Sequence, residues 1–425
     1  MSNEDGEHSG LGWLYIDFNS YFASVEQQLE PRLRGKPVIV VPVDTDSTCA
    51  IAASYEAKAF GIRTGTKVRE ARQKCPGLIQ VLARHEVYTE FHVNIMQELD
   101  RHFPVTKVCS IDEAAYRLMR NDRSEVAAVE LAHQVKRGLA KTIGEYVRCS
   151  IGIAPNRYLA KVAADFQKPD GLTVLHPSDL PDRLYTLKLR DLPGVGANME
   201  RRLLEAGCAD VRTLLTRPPE RLRAIWGSVW GERMWSLLRG IDLPEPETQR
   251  RSVGHSHVLA PELRNPKKAH DVARRLTLKA ASRMRRYGYH ASGLFFSARF
   301  ENGLRLKYDG HCWRAQDSDT FLKMLDGMWT RMIAQSGGAS VKKLAVTLYG
   351  LVSNDALAPD LFDAAPPKAL ERRKRNEALS AVMDKLNQSY GRDTVVLGML
   401  PSDGLSFSGT KIAFTRIPHQ EEFRE

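Results

Sequence analysis

Two apolar segments of this chain each end in acidic residues, an arrangement that suits phosphoryl-transfer chemistry. The segment Val105–Ile111 is followed by Asp112 and Glu113, and the far-upstream segment Gly12–Ile16 is followed by Asp17. Hard cations such as Mg2+ prefer oxygen ligands, usually a few carboxylates together with substrate phosphates. Two such ions can clamp the attacking and the leaving oxygen of an in-line displacement. The three acids are therefore candidates for a two-metal site.

The adjacent acids Asp112 and Glu113 pose a geometric problem for such a site. Neighbouring side chains on a regular strand point to opposite faces of the sheet. Both acids can approach one pair of metals only at a strand end, a bend or a bulge, and bulges are common next to active sites. The alternative is a pair of exposed turn acids, and the local sequence leaves both interpretations open.

The elements that must position these acids follow from short apolar runs and from helical spacing. Residues 13–18 are predicted as a buried strand, and Ser20 is predicted to cap a helix from Tyr21 to about Leu29. Similar patterns predict further strands over 37–41, 49–53 and 148–153, and helices over 86–101, 125–145 and 156–166. This mixture predicts an α/β (α+β) multidomain fold in which helices cover a sheet.

The net charge of +11 indicates a polyanionic partner. Residues 251–352 hold 18 Lys and Arg against 7 Asp and Glu, and this difference of 18 − 7 = +11 equals the excess of the whole chain. A solvated charged surface is the bland alternative, but it does not explain why the excess is confined to one segment. We therefore expect a separate basic domain that binds nucleic acid.

The basic segment follows a predicted linker, residues 241–250, and starts with a helix over 266–287. A hairpin of strands 294–300 and 304–308 and a further strand over 344–351 complete a small α/β domain. The cations of the helix that we expect to contact DNA are Lys267, Lys268, Arg275, Arg283 and Arg286.

Composition argues against several other classes of protein. The six cysteines are scattered without a C-x-x-C pair, so neither a zinc site nor a disulfide framework is predicted. The chain has no apolar run of about eighteen residues, and its polar, acidic start lacks the features of a secretion signal. We expect a cytoplasmic protein with reduced thiols and no membrane contact.

The string Leu192-Pro193-Gly194-Val195-Gly196 is typical of a helix-hairpin-helix turn. Its glycines allow the backbone to approach closely, and amides such as those of Gly194, Val195 and Gly196 can donate to phosphate oxygens without reading sequence. A plain turn between two helices is the alternative.

Taken together, these strings resemble the Y family of DNA polymerases, the DinB/UmuC-like translesion enzymes. The resemblance covers about residues 12–352. It depends on the order of five motifs, which are Asp17-Phe18-Asn19-Ser20-Tyr21-Phe22, Tyr55-Glu56-Ala57-Lys58, Ser110-Ile111-Asp112-Glu113, the segment 159–169 and the 192–196 turn.

The resemblance implies a right-hand polymerase with four domains and an extension. The palm would comprise 11–28 and 85–177, the fingers 29–84, the thumb with its helix-hairpin-helix 178–240, and the little finger 251–352. Residues 353–425 would form a C-terminal extension. The little finger coincides with the basic segment, which was located independently by counting charges.

The resemblance also implies roles for individual residues. Asp17, Asp112 and Glu113, with the Phe18 carbonyl, would hold two Mg2+ ions, for which Mn2+ could substitute. The deoxynucleoside triphosphate (dNTP) would be bound by Tyr21, Phe22, Tyr55, Lys58 and Lys161, with Phe22 as a steric gate against the ribose 2′-hydroxyl. Outside the family context, Phe22 and Tyr55 would be read as ordinary packing residues.

Three positions depart from the pattern of many relatives. Asn19 stands where Asp is frequent, and Ile51 is bulkier than the residue of some relatives near the nascent base pair. Lys58 stands where Arg is common, which keeps the charge but loses the bidentate fork. These departures leave nucleotide affinity and lesion preference open.

The expected partners are primer-template DNA, dNTPs and the replicative sliding clamp, bound by a monomer. Residues 356–362 faintly resemble a clamp-binding peptide through Leu361 and Phe362, and an ordinary linker is the alternative. The main competing function is a catalytically inactive adaptor of the same family, which would bind the clamp and recruit another polymerase. Such adaptors typically lack the metal acids. A helix-hairpin-helix nuclease or glycosylase would leave those acids unexplained.

Overall fold

The computed structural model describes residues 10–46, 48–246, 249–356, 367–391, 394–398, 417–418 and 423. The strands are β1 Trp13–Phe18, β2 Val38–Val41, β3 Ala52–Ala53, β4 Ile79–Leu82, β5 Lys107–Ser110, β6 Glu113–Arg117, β7 Cys149–Ala154, β8 Leu172–Val174, β9 Ser252–Val258, β10 Tyr289–Phe300, β11 Arg305–Ala315, β12 Val341–Tyr349 and β13 Val352–Ser353. The α-helices are α1 Tyr21–Leu29, α2 Tyr55–Ala59, α3 Val68–Lys74, α4 His85–Asp100, α5 Glu125–Thr142, α6 Arg157–Phe166, α7 Ala197–Glu205, α8 Val211–Leu215, α9 Pro219–Trp226, α10 Trp230–Leu237, α11 Pro266–Arg286, α12 Ser318–Ser336 and α13 Pro367–Tyr390.

Contacts divide the described chain into a first unit, through Glu245, and a second unit that begins at Pro246. The described residues near the C-terminus, 417–418 and 423, belong to the first unit. The boundary between the units falls inside the predicted linker, 241–250. No described helix is long and apolar enough to cross a membrane.

The first unit is organised around a five-stranded sheet in the order β5-β6-β1-β7-β8, so β1 is its central strand. Strand β1 pairs antiparallel with both β6 and β7. Because side chains alternate along a strand, Leu14, Ile16 and Phe18 join one core cluster with residues of α4 and α5. Tyr15 lies on the opposite face, in a second cluster with residues of α6. Asp17 shares the Tyr15 face by the same alternation, and therefore faces α6.

Close packing of α6 on β7 depends on Gly152. A Cβ atom at this position would lie 2.0 Å from the backbone oxygen of Ala160 and 2.3 Å from the backbone nitrogen of Ala164. Because neither backbone atom can move without displacing the helix, only glycine allows this approach. The result is a helix held directly over the face of the sheet that carries Asp17.

Two smaller parts complete the first unit. The segment after α1 contains a three-stranded sheet in the order β3-β2-β4, with its own small apolar core that includes residues of α2 and α3. Helices α7 to α10 follow the sheet domain, and their apolar faces join the cluster under α6.

The second unit is a four-stranded sheet in the order β11-β10-β12-β9, with β13 pairing to β10. Helices α11 and α12 pack on one face, where alternate sheet residues such as Phe296, Leu344 and Val346 form a single core with them. The other face carries the alternate, exposed or half-buried side chains.

The mixed α/β architecture predicted from the sequence is confirmed, with three local corrections. Ser20 stands at the N-cap of α1 with φ 50°, and its side chain makes no capping hydrogen bond. The predicted strand over 49–53 is reduced to Ala52–Ala53. The predicted hairpin strands are longer, Tyr289–Phe300 and Arg305–Ala315, because the alternation of more and less buried side chains extends beyond the predicted bounds.

Candidate active site

The three predicted acids lie together at one end of the central sheet. Asp17 is opposite Glu113 in the antiparallel register of β1 and β6. The N–H of Phe18 donates to the carbonyl of Asp112 at 2.8 Å, which connects the end of β1 to the turn before β6. The side chains of Asp17 and Glu113 are only 15% and 17% exposed.

A hairpin with a register shift explains how neighbouring acids serve one site. Strands β5 and β6 pair Val108 with Ala114 and then Ser110 with Glu113, so the ladder shifts between these pairs. Asp112 lies in the tight turn, outside both strands. Its side chain therefore does not have to point to the opposite face of the sheet from Glu113. The Ser110 hydroxyl donates to Oδ1 of Asp112 at 2.5 Å, and its oxygen lies 3.2 Å from Oε2 of Glu113. The bend required by the sequence argument is therefore present.

Two lysines form ion pairs with two of these acids. Lys161 Nζ on α6 lies 2.5 Å from Oε1 of Glu113. Lys168 Nζ lies 2.7 Å from Oδ1 of Asp17 and 2.7 Å from Oδ1 of Asp165. A mostly buried carboxylate needs such a partner because desolvation of an unpaired charge is costly.

Burial and neighbouring charges shift the pKa values of the acids and of Lys168. Burial raises the pKa of Asp17 to about 7, although the Lys168 ammonium lowers it, and the negative charge of Glu113 adds to the rise. Burial also raises the pKa of Asp112, against the hydrogen bond from Ser110. Burial opposes the charge on Lys168, but Asp17 and Asp165 outweigh it and raise the pKa of the ammonium. The site thus favours added positive charge.

The donor chemistry of the cluster fits hard divalent cations. Every candidate ligand, three carboxylates and a backbone carbonyl, offers oxygen, as Mg2+ and Mn2+ prefer. Among the described residues, no group of three or more His, Cys, Asp or Glu side chains lies close enough to hold a metal in the present rotamers. Asp17 and Glu113 each face an ammonium group.

Lys168 is a site residue that received no role in the sequence analysis. Burial lowers the pKa of Lys58, and the charge of Lys168 lowers it further. Burial raises the pKa of Tyr55, and the charge of Lys168 opposes that rise. Lys58 Nζ lies 4.3 Å from the centroid of the Tyr55 ring. Lys58, Tyr55 and Lys168 therefore lie near one another and near Asp17. The available signal was that Lys168 belongs to the same motif as Lys161, the segment 159–169.

Phe22 and Tyr21 occupy the first turn of α1, directly after the Asp17 strand. Phe22 is half-buried, and its ring stacks on Tyr88 with centroids 4.3 Å apart and an interplanar angle of 13°. Tyr21 is buried, and its hydroxyl donates to the backbone oxygen of Tyr88 at 2.7 Å. Phe22 is thus partly exposed on one side and supported on the other, and the nucleotide-binding role of the buried Tyr21 stays a prediction.

Asn19 is a buried connector between three segments. Its Nδ2 donates to Ser150 Oγ on β7 at 3.1 Å, and its Oδ1 accepts from the N–H of Asp170 at 2.7 Å. An amide can donate and accept at once, which an ionised carboxylate cannot. The side chain thus holds the Lys168 loop against the end of β1.

The predicted helix-hairpin-helix turn lies between a 3-10 helix, Leu189–Asp191, and α7. Gly194 has φ 88°, a left-handed conformation that glycine adopts without strain, and Gly196 is the N-cap of α7. The Val195 side chain is buried. The Tyr158 hydroxyl of α6 donates to the Pro193 carbonyl at 3.0 Å, which fixes the turn relative to the acid site.

The second unit carries a row of cations on the sheet face opposite its helices. Arg299 pairs in register with Arg305 on one side and with Lys343 on the other, and Lys307 lies two residues along β11. All four are exposed, and none forms an ion pair with a described residue. Like charges directly opposite on neighbouring strands destabilise a sheet. We call these four residues the cation row, which the sequence analysis missed because strand alternation spreads it over three separate segments.

The cations predicted on α11 are distributed differently. Lys267 and Arg286 are exposed, whereas Lys268, Arg275 and Arg283 are half-buried. Arg283 Nη2 lies 3.4 Å from His255 Nδ1 on β9. Their role in DNA binding stays a prediction. The predicted clamp anchors Leu361 and Phe362 lie outside the described residues.

Three family models match the chain in order. They are the impB/mucB/samB family over residues 16–165, the DNA polymerase-iota thumb domain over 190–242, and the impB/mucB/samB family C-terminal domain over 250–361. The first match contains the three acids, the second the helix-hairpin-helix turn, and the third the cation row.

Similar proteins and structures extend the match over most of the chain. DNA polymerase IV of Moorella thermoacetica is 32% identical over 393 residues, covering 90% of this chain and 94% of the relative. DNA polymerase IV of Pelotomaculum thermopropionicum is 33% identical over 396 residues, with the same coverage. A Y-family DNA polymerase chimera of Dbh and Dpo4 aligns with a TM-score of 0.69 at 26% identity, covering 81% of this chain and all of the other. An insertion ternary complex of Dbh DNA polymerase aligns with a TM-score of 0.53 at 26% identity and the same coverage.

Proposed function

This chain belongs to the DinB-like branch of the Y-family DNA polymerases, and we propose that it performs their translesion synthesis at the cluster of Asp17, Asp112 and Glu113. The protein is a DNA-directed DNA polymerase. The reaction would transfer a nucleotide from a dNTP to the primer 3′-hydroxyl with release of pyrophosphate, in a distributive, low-fidelity manner. The observation that carries this proposal is the convergence of three mostly buried acids with two compensating lysines.

The three acids, with the Phe18 carbonyl, would hold two Mg2+ ions, for which Mn2+ could substitute. When bound, the ions would activate the primer hydroxyl and neutralise charge on the α-phosphate and on the departing pyrophosphate. The protein's own contribution is geometric, since the hairpin turn sets Asp112 beside Glu113 and the register sets Glu113 opposite Asp17. Burial keeps bulk water away from the carboxylates and strengthens their interactions.

The triphosphate would lie in the space faced by Lys168, Lys58 and Tyr55. Two ammonium groups and a hydroxyl are suitable donors to phosphate oxygens. The charge of Lys168 disfavours protonation of Lys58, so an anion between them would relieve that repulsion. We assign Lys168 to triphosphate binding beside Lys58, and Lys161 to Glu113 with a secondary contact to the phosphates.

Phe22 would act as the steric gate for the sugar. It follows Asp17 by five residues, it is half-buried, and its stack on Tyr88 leaves little room for the ring to retreat. A ribose 2′-hydroxyl at its free side would collide with the ring, whereas a deoxyribose would not. The sugar selectivity of the enzyme would then depend on the position of one side chain.

Primer-template DNA would be held by two sequence-independent surfaces. Backbone amides of the Gly194–Gly196 turn can donate to phosphates. The cation row places like charges opposite one another, which destabilises the sheet by itself. DNA phosphates bound against the row would neutralise this repulsion. The sliding clamp remains a proposed partner through residues 356–362. Retention of all three acids favours an active polymerase over an inactive adaptor.

Primer extension with an acid-deficient variant tests the proposal. Asp112→Ala with Glu113→Ala should abolish extension with Mg2+ on damaged and undamaged templates, while DNA affinity stays close to that of the unaltered protein. Glu86→Ala with Glu90→Ala removes the same charge from two exposed positions of α4 and should leave extension unchanged. Undiminished extension by the first variant would overturn the assignment.

A further inference from the structure

We infer that a buttress of three side chains sets the position of the Phe22 ring, and through it the discrimination between deoxyribose and ribose substrates. The three residues are Tyr88, Glu26 and Arg84. The inference rests on the proposed role of Phe22 as the steric gate. It assigns the buttress as a positioning device, since none of its members needs to touch the nucleotide.

The need for a buttress follows from the way α1 begins. Ser20, at the N-cap, has the left-handed φ of 50° and makes no capping hydrogen bond. Its buried hydroxyl has no hydrogen-bond partner among the described residues. An uncapped first turn leaves its amides unsatisfied and is prone to fraying. Phe22 stands in that turn, and its ring contacts Tyr21 of the same helix and the rings of His85 and Tyr88 on α4, of which Tyr88 is the nearest.

Tyr88 supplies the surface on which Phe22 rests. The two rings are nearly parallel, with an interplanar angle of 13° and centroids 4.3 Å apart. Tyr88 is completely buried in the first turn of α4, whereas Phe22 is half-buried. Because the buried ring of Tyr88 lies directly against the half-buried ring of Phe22, it limits how far Phe22 can move away from an approaching 2′-hydroxyl.

Tyr88 is itself held at both ends. Its hydroxyl donates to Oε1 of Glu26 at 2.7 Å, and its backbone oxygen accepts from the Tyr21 hydroxyl at 2.7 Å. Glu26 follows Phe22 by four residues on α1, and residues four apart share one face of a helix. The same helix face therefore contributes both the gate and the acceptor that fixes its support.

Arg84 completes the buttress by forming an ion pair with the buried carboxylate of Glu26, which stabilises its charge. The Glu26 side chain is 1% exposed, and its described donors are Tyr88 and Arg84. Arg84 Nε donates to Oε1 at 3.1 Å, and Nη2 contacts Oε2. The guanidinium is 41% exposed at the N-cap of α4, directly before the turn that carries Tyr88. Removal of either donor leaves a buried carboxylate poorly satisfied.

The chain contains a second aromatic stack that matches the first one and provides a control. Phe103 and Tyr116 stack with centroids 4.4 Å apart and an interplanar angle of 13°. The Tyr116 hydroxyl donates to Oδ2 of Asp122 at 2.6 Å. Both rings of this pair are buried, so no side of Phe103 is left to meet a substrate. The two stacks share their geometry and differ in whether one ring is partly open.

The central experiment removes one hydroxyl from each stack. Tyr88→Phe keeps the stacking ring but loses the hydrogen bond to Glu26, and we expect about a tenfold loss in the ratio of kcat/KM for a dNTP to that for the matching ribonucleotide. A tenfold change corresponds to about 1.4 kcal/mol. Tyr116→Phe should lower the melting temperature similarly while leaving this ratio unchanged. A ratio unchanged in Tyr88→Phe would overturn the inference.

A second variant and a double variant separate positioning from general stability. Arg84→Gln should lower the ratio in the same direction as Tyr88→Phe, because it disturbs Glu26 from the exposed side. In a Phe22→Ala background, Tyr88→Phe should produce no further loss of discrimination, since its effect passes through the missing ring. A further loss of equal size there would contradict the inference.

The outcomes also separate this inference from the proposed function. If Phe22→Ala itself does not admit ribonucleotides, the steric-gate assignment fails, and the buttress fails with it. If Phe22→Ala admits ribonucleotides while Tyr88→Phe and Arg84→Gln retain the discrimination of the unaltered protein, only the buttress is refuted.

Discussion

The acid cluster of the first unit and the cation row of the second are both concentrations of like charge, but they are stabilised in opposite ways. The acids are mostly buried, and Lys161 and Lys168 of the same unit neutralise two of them. The four cations are exposed and have no described ionic partner. Burial with internal compensation fixes geometry before any substrate arrives, which chemistry requires. The exposed cations have no ionic partner among the described residues, so they can attract a polyanion such as DNA. This arrangement favours affinity and fast association.

This difference predicts that damage to the two regions will separate catalysis from binding. Substitutions in the acid cluster should lower kcat with little change in DNA affinity. Substitutions in the cation row should weaken DNA binding and its salt dependence with little change in kcat at saturating DNA. The following variants test this separation.

The largest effect is expected for Asp17→Asn. The amide keeps the shape of the carboxylate but removes a charged oxygen ligand and the partner of Lys168. We expect kcat to fall by about a thousandfold, equivalent to about 4 kcal/mol of transition-state stabilisation. Single-turnover nucleotide incorporation measures this loss, and titration of labelled primer-template DNA should show unchanged affinity. A similar loss in both measurements would mean that the two regions are not separable.

A smaller but specific loss is expected for Lys168→Ala. A charge-assisted hydrogen bond contributes about 1.5–3 kcal/mol, so kcat/KM for the dNTP should fall by about tenfold to a hundredfold, mainly through KM. Lys161→Ala is the matched control, since it removes the same group from Glu113 rather than from the space shared with Lys58. If Lys161→Ala produces the larger rise in KM, the assignment of the two lysines is reversed.

The contrast between the two lysines shows where sequence reasoning stopped. The order of the motifs predicted the acids, the gate, the helix-hairpin-helix turn and Lys161, because each belongs to a short contiguous string. Lys168 was missed because its proximity to Asp17 is set by a loop that Asn19 holds against the end of β1. Contacts across 151 residues, such as that between Asn19 and Asp170, leave no local pattern.

The basic domain shows the same limit at a larger scale. Charge counting located the basic segment, whose role as a domain stays a prediction, and helical spacing correctly predicted α11. The cation row could not be predicted, since its members come from three strands and meet only through register. Likewise, Ser20 was predicted to cap α1 from its residue type, but its left-handed backbone turns the side chain away from that role.

Neutralising the cation row should weaken DNA binding without affecting the chemical step. Replacing Arg299, Arg305, Lys307 and Lys343 with Gln should lower DNA affinity by about a hundredfold or more at moderate salt. The slope of log affinity against log salt should decrease by about three to four, at roughly 0.9 for each phosphate that the variant no longer neutralises. Without DNA, the variant should melt at a slightly higher temperature because cross-strand repulsion is removed. An unchanged slope would exclude the sheet face as the DNA surface.

The smallest effect compares two charges on the sheet with two on α11. Arg299→Gln with Lys343→Gln should reduce the salt slope by about 1.8, whereas Lys267→Gln with Arg286→Gln should reduce it by less than half of that. The reason is that adjacent cations in register can contact one phosphate backbone together, whereas Lys267 and Arg286 lie at opposite ends of a 21-residue helix, about 30 Å apart. Both variants lose the same net charge, so a nonspecific effect of charge would reduce both slopes equally. Equal reductions would show that the little finger binds DNA through its overall charge, and a larger reduction for the α11 variant would move the DNA surface to the helix.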